Sequence, residues 1–183
     1  MRAKVCFVFL LLCAARGYAQ RGSYLFVWAG DDAKKASDFL AVLDADAASP
    51  HYGQAVASVA VPGPSGTPHH TELEMPDGGF LLANAFESGR SLLFDLRDPL
   101  RPALATSFGG LDGYTHPHTY ARLPNANVLA TFQYRGGHGP RADGGGLVEF
   151  DQQGHFIRTA SAMSAQFRCF PLFLLLDSLC PGL

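Results

Sequence analysis

Short apolar runs alternate with turn-forming segments along most of the chain, and the runs recur. Phe39-Leu40-Ala41-Val42-Leu43-Asp44, Ser91-Leu92-Leu93-Phe94-Asp95 and Gly146-Leu147-Val148-Glu149-Phe150-Asp151 are each a brief apolar segment ending in Asp. Their aspartates lie 51 (95 − 44) and 56 (151 − 95) residues apart. Runs this short, bounded by turn formers, predict strands. Each leads through a turn into another strand ending near Val61, Phe108 and Ala160. An Asp at a strand end predicts a side chain that caps the turn backbone, with no catalytic role.

A second pattern is interleaved with the first. His70-Thr71 through Phe86 overlies His118-Thr119 through Tyr134 at a constant offset of 48 (118 − 70). Met75-Pro76-Asp77-Gly78-Gly79-Phe80-Leu81 falls on Leu123-Pro124-Asn125-Ala126-Asn127-Val128-Leu129, a turn between two apolar strands. Two hairpins in roughly fifty residues is the period of a four-stranded propeller blade. The expected fold class is therefore all-β: an incomplete β-propeller of about two and a half four-stranded antiparallel blades. These are half a blade over Tyr24 to Pro62, one over His70 to Gly109 and one over His118 to Ala162. So few blades leave open faces, which predicts association to cover them.

Composition supports this. Twenty glycines and twelve prolines fall between the apolar runs, as turn-rich β structure requires. Hydrophobic residues make up 48% and charged residues 16%, enough for a packed core. A net charge of −2 without a basic stripe argues against a nucleic-acid partner.

The ends follow other rules. Arg2 and Lys4, the apolar stretch Val5 to Ala15, and Gly17-Tyr18-Ala19 form the pattern of a signal peptide cleaved after Ala19. An uncleaved anchor is the alternative. Residues 1–19 are thus assigned to a leader and 20–162 to the partial propeller, giving a secreted or periplasmic protein with no membrane contact after cleavage. Residues 163–183 form a non-repeat apolar tail, read as a frameshifted or truncated end, with a closing helix or anchor as the alternative. Cys169 and Cys180 are the cysteines outside the leader; a disulfide and two free thiols both remain open.

Candidate chemistry rests on histidine. Four of the seven cluster in Pro68-His69-His70-Thr71 and Thr115-His116-Pro117-His118-Thr119. At the offset of 48, His70 and His118 open equivalent strands of adjacent blades and converge on one axis. His116 and His118 are two apart and project to one side of an extended strand, with Pro117 biasing His116 toward extended backbone. His69 and His70, being adjacent, share a side only if Pro68-His69 belongs to the preceding loop. Imidazole without thiolate favours copper or zinc, so His69, His70, His116 and His118 are the candidate metal ligands. His51, His138 and His155 lie in turn-like contexts and read as surface residues. Gly136-Gly137-His138-Gly139-Pro140 with Gly144-Gly145-Gly146 reads as a long flexible hairpin loop. Trp28 reads as packing, and no nucleophile elbow or catalytic carboxylate pair is present.

Tyr24-Leu25-Phe26-Val27-Trp28-Ala29-Gly30, Asp38 through Asp44, Ser49-Pro50-His51-Tyr52-Gly53-Gln54 and His69-His70-Thr71 together resemble the opening of selenium-binding proteins. That family includes methanethiol oxidases, copper-dependent propellers that oxidise methanethiol with O2 to formaldehyde, hydrogen sulfide and hydrogen peroxide. The resemblance covers Ser23 to about Ala162. It implies a copper cofactor held by His69, His70 and His118, with His116 a nearby donor, and a small thiol and O2 as reactants. Better-known members carry Cys-x-x-Cys shortly after His-His-Thr. Here Glu72-Leu73-Glu74-Met75-Pro76-Asp77 stands instead, which argues against thiol-based selenium binding. The family also extends well beyond this length. Alternatives to a copper oxidoreductase are a non-enzymatic secreted binding module and a gene fragment without function.

Overall fold

The computed structural model describes residues 23–63, 66–136 and 143–161. The leader, the tail with Cys169 and Cys180, and His138 lie outside the described residues. The described chain is all-β, with eleven strands in three antiparallel sheets. Sheet one comprises β1 (Tyr24–Ala29), β2 (Phe39–Asp44) and β3 (Ala55–Ala60), in that order. Sheet two runs β4 (Pro68–Thr71), β5 (Phe80–Ala85), β6 (Arg90–Asp95) and β7 (Ala103–Gly109). Sheet three runs β8 (Tyr114–Arg122), β9 (Val128–Arg135), β10 (Asp143–Phe150) and β11 (Phe156–Ser161). Each sheet is an up-and-down meander stacked on the next, an incomplete, propeller-like fold that does not close among the described residues.

Sheet one departs from the expected half blade. It has three strands, and β2 carries the terminal Asp found in β6 and at the end of β10. By that register β1 matches β5 and β9, so the position missing from sheet one among the described residues is that of β4 and β8. The two strands of that class are the ones bearing the clustered histidines.

Two apolar layers join the sheets. Leu40, Leu81, Ala83, Leu92 and Phe94 fill the space between sheets one and two, with Phe26 and Trp28 against them. Leu82, Leu93, Tyr120, Val128, Phe132, Val148 and Phe150 fill the space between sheets two and three. Sheet two is therefore buried on both faces. That explains why its central strands read Phe-Leu-Leu-Ala-Asn-Ala and Ser-Leu-Leu-Phe without polar alternation: alternate side chains enter different layers, and both layers are apolar.

The strand-end aspartates behave as turn caps. Asp44 accepts from the Asp46 amide at 2.9 Å, Asp95 from Arg97 at 3.1 Å and Asp151 from Gln153 at 2.9 Å. The glycine run is different from expectation, because Gly144, Gly145 and Gly146 belong to β10 and not to a flexible loop. A Cβ on Gly145 would strike the Phe132 carbonyl oxygen, and one on Gly146 would lie 2.8 Å from the Tyr114 ring. Close approach of neighbours, not chain flexibility, accounts for these glycines.

Candidate metal centre

The histidines sit on β-bulges. In β4, Pro68 pairs with Ala85 and Thr71 with Ala83, so His69 and His70 together stand opposite Asn84 alone. In β8, Pro117 pairs with Phe132 and Tyr120 with Ala130, so His118 and Thr119 stand opposite Thr131 alone. An extra residue breaks the two-residue alternation of a strand. His69 and His70 can therefore face the same way while both belong to β4. Their rings lie 4.4 Å apart between centroids. A preceding loop is not needed.

The bulges also correct the repeat register. Pro68-His69-His70-Thr71 superimposes on Pro117-His118-Thr119-Tyr120, an offset of 49 (118 − 69). After the turn, Ala83 and Ala85 match Ala130 and Phe132, an offset of 47 (130 − 83). The ungapped offset of 48 lies between the two, because the connection from β4 to β5 is two residues longer. His118 is thus the counterpart of His69. It stands mid-strand rather than at a strand start, and His70 corresponds to Thr119.

His116 is placed differently from its three neighbours. Its φ of 60° matches Thr67, at 59°, the residue that precedes the equivalent proline. This is the left-handed region, strained for any residue with a Cβ and more so for β-branched Thr67, at about 1–3 kcal/mol each. His116 is not on extended backbone, so the two-apart argument that put its ring beside His118 does not hold. It is buried between Phe86, at 5.3 Å, and Tyr134, at 5.1 Å, with its Nδ1 3.1 Å from the Thr115 hydroxyl.

His69, His70 and His118 do come together. Each offers a ring nitrogen, and the three nitrogens lie within 4.8 Å of one another. Ring centroids are 4.8 Å apart for His69 and His118 and 4.3 Å for His70 and His118. Metal–nitrogen bonds of about 2.0 Å in a tetrahedral arrangement need nitrogens about 3.3 Å apart, so small side-chain rotations suffice. Burial holds the His70 imidazole below its ordinary range, with the neighbouring His69 acting in the same direction. His118 is lowered by burial first and then by His70 and His69. Both effects favour the neutral rings that a metal needs. Phe86 packs 5.2 Å from His69 and 6.0 Å from His118, forming an apolar wall.

Residues outside the histidine motifs hold this geometry. Asn84 is fully buried on β5. Its Oδ1 accepts from the His70 amide at 2.6 Å, and its Nδ2 donates to the Pro117 carbonyl at 2.7 Å. The Trp28 indole N–H donates to the Asn84 carbonyl at 2.7 Å, so Trp28 packs as expected and also reaches across from sheet one. Just past the end of β4 and further along β8, Arg122 Nε donates to the buried Glu72 carboxylate at 2.7 Å, and Tyr120 shares a 2.9 Å hydrogen bond with Ser91.

No protein-family model matches the chain. It is 29% identical over 143 residues to a methanethiol oxidase from Hyphomicrobium sp, covering 73% of this chain and 31% of that protein. The chain resembles the selenium-binding protein and methanethiol oxidase family. A hypothetical selenium-binding protein from Sulfolobus tokodaii has the same fold, with a TM-score of 0.54 at 22% identity over 63% of this chain and 29% of that one. The chain thus spans about a third of the length of these relatives. His51 and His155 are exposed, as expected, and His155 pairs with Asp151 at 2.9 Å.

Proposed function

We propose that His69, His70 and His118 bind one copper ion, and that this centre serves thiol oxidation of the methanethiol oxidase type, with a small thiol and O2 as reactants. The observation that carries the reading is the convergence of three ring nitrogens within 4.8 Å from two strands far apart in sequence. The donor set fits. It is all nitrogen, without carboxylate, and residues 23–161 contain no cysteine. Such a set suits copper or zinc and not magnesium or calcium. Similarity to a protein named methanethiol oxidase favours the redox-active ion.

Bound copper would supply electron exchange and a Lewis-acid position for a thiol sulfur. The chain supplies the rest: three imidazoles, fixed by bulged backbone, leave part of a coordination sphere open. Phe86 shields one side from water and offers an apolar surface to a small alkyl thiol. The segment Glu72 to Asp77 offers no thiol for selenium, so selenium capture is not included. Export through the leader, with a mature end at Gln20, belongs to the same proposal, and N-terminal sequencing of exported protein checks it. Copper-loaded full-length chain in an oxygen electrode should consume O2 when methanethiol is added and release hydrogen peroxide. Copper binding without thiol-dependent uptake would remove the oxidase activity from this reading.

A further inference from the structure

We infer that Asn84 is the positioning residue of the three-histidine centre, setting the two histidine-bearing bulges at a fixed distance through one buried amide. The inference rests on the copper reading above but stands on separate geometry. A bulge frees backbone groups from the ladder, and buried backbone groups must find other partners. Asn84 meets both needs at once. Its carbonyl oxygen takes the His70 N–H, and its amino group reaches the carbonyl of Pro117, the residue before His118. Which end of the amide faces which strand follows from chemistry, since a backbone N–H can only donate and a carbonyl only accept.

The equivalent position in the next sheet sharpens this. Thr131 accepts from the Thr119 amide at 3.1 Å, so it satisfies its own bulge as Asn84 does. A hydroxyl accounts for that local role. The longer amide of Asn84 adds a second arm, directed at the neighbouring blade, where His118 stands. Asn84 is also locked from sheet one by the indole of Trp28 on its main-chain oxygen. Outer groups that orient ligands typically change metal affinity about 10–100-fold when altered.

The test compares N84D and N127A in the full-length chain. N84D keeps the acceptor for His70 and, once ionised, has no proton to donate to Pro117; N127A removes a hydrogen bond to Glu149 that touches neither bulge. Two readouts apply. In metal-free protein, NMR cross-relaxation between ring protons of His70 and His118 reports their proximity. In copper-loaded protein, chelator competition gives affinity, and electron paramagnetic resonance reports the nitrogen ligands. N84D should lose the inter-ring contacts, weaken copper binding about 10-fold or more and alter the resonance spectrum, while N127A leaves all three unchanged. A folded N84D with wild-type contacts and affinity would overturn the inference. If N84D does not fold, N84T takes its place, since its hydroxyl can serve His70 as Thr131 serves Thr119 but lacks the arm to Pro117, with the same outcomes expected and the same result overturning. Inter-ring contacts in a wild type that binds no copper would refute the copper reading while leaving the positioning role to the NMR comparison.

Discussion

His118 stands on β8 as His69 stands on β4: each follows a proline, each begins the extra step of a bulge, and their rings meet 4.8 Å apart. Two blades contribute to one cluster through this repeated device, and His70 adds the third nitrogen because β4 carries a histidine where β8 has Thr119.

The cluster and His116 should separate cleanly by mutation. H69A, H70A and H118A should each lower copper affinity by more than about 100-fold, beyond the range for outer-shell changes. H116A should leave affinity within about threefold and lower stability instead, by about 2 kcal/mol or more, because a buried ring is lost. Chelator competition and thermal unfolding measure the two effects.

Acid should weaken the metal-free fold through His70 and His118. Both have folded-state values below the reference of 6.5. The unfolded chain then binds more protons in the interval between the folded value and 6.5. Stability accordingly rises with pH across that interval and is lost as pH falls through it. Melting temperatures measured between about pH 7 and pH 5 should fall, and the fall should be shallower in H118A.

The Glu72–Arg122 pair should matter more than surface pairs. Glu72 has only 4% of its side chain exposed and also accepts from the Leu82 amide at 2.8 Å. R122A leaves that carboxylate buried without its cation, at a cost of about 3–5 kcal/mol. K34A breaks an exposed pair with Glu87 and should cost less than about 1 kcal/mol. Denaturant unfolding distinguishes the two.

Trp28 links the first sheet to the site. W28F keeps an aromatic ring against Phe94, which lies 5.5 Å away, but deletes the donor to Asn84. The loss should be about 1–3 kcal/mol because the Asn84 carbonyl is buried. Thermal unfolding beside the wild type checks it.

Much of the fold was legible because period-two strands and turn chemistry are local. The strand-end aspartates, the turns and the fifty-residue period all follow from such features. The register at the site was not legible. A bulge leaves no composition signal, and two compensating shifts of one residue on either side of a turn produced an ungapped match at 48. His116 was misplaced for the same reason, since extended backbone is the default assumption and a left-handed residue before proline defeats it. Asn84 did carry a signal, as a lone polar residue within Phe80–Ala85, a strand otherwise apolar. Buried polar residues are the informative exceptions to burial patterns, and this one joins both bulges.

The most direct measurement is electron paramagnetic resonance of the full-length chain titrated with copper, with histidine labelled by nitrogen-15. One copper per chain should appear, coupled to imidazole nitrogens, and the coupling pattern should change in H69A, H70A and H118A but persist in H116A. A spectrum without histidine coupling, or one indifferent to His69, His70 and His118, would contradict a metal centre at this place.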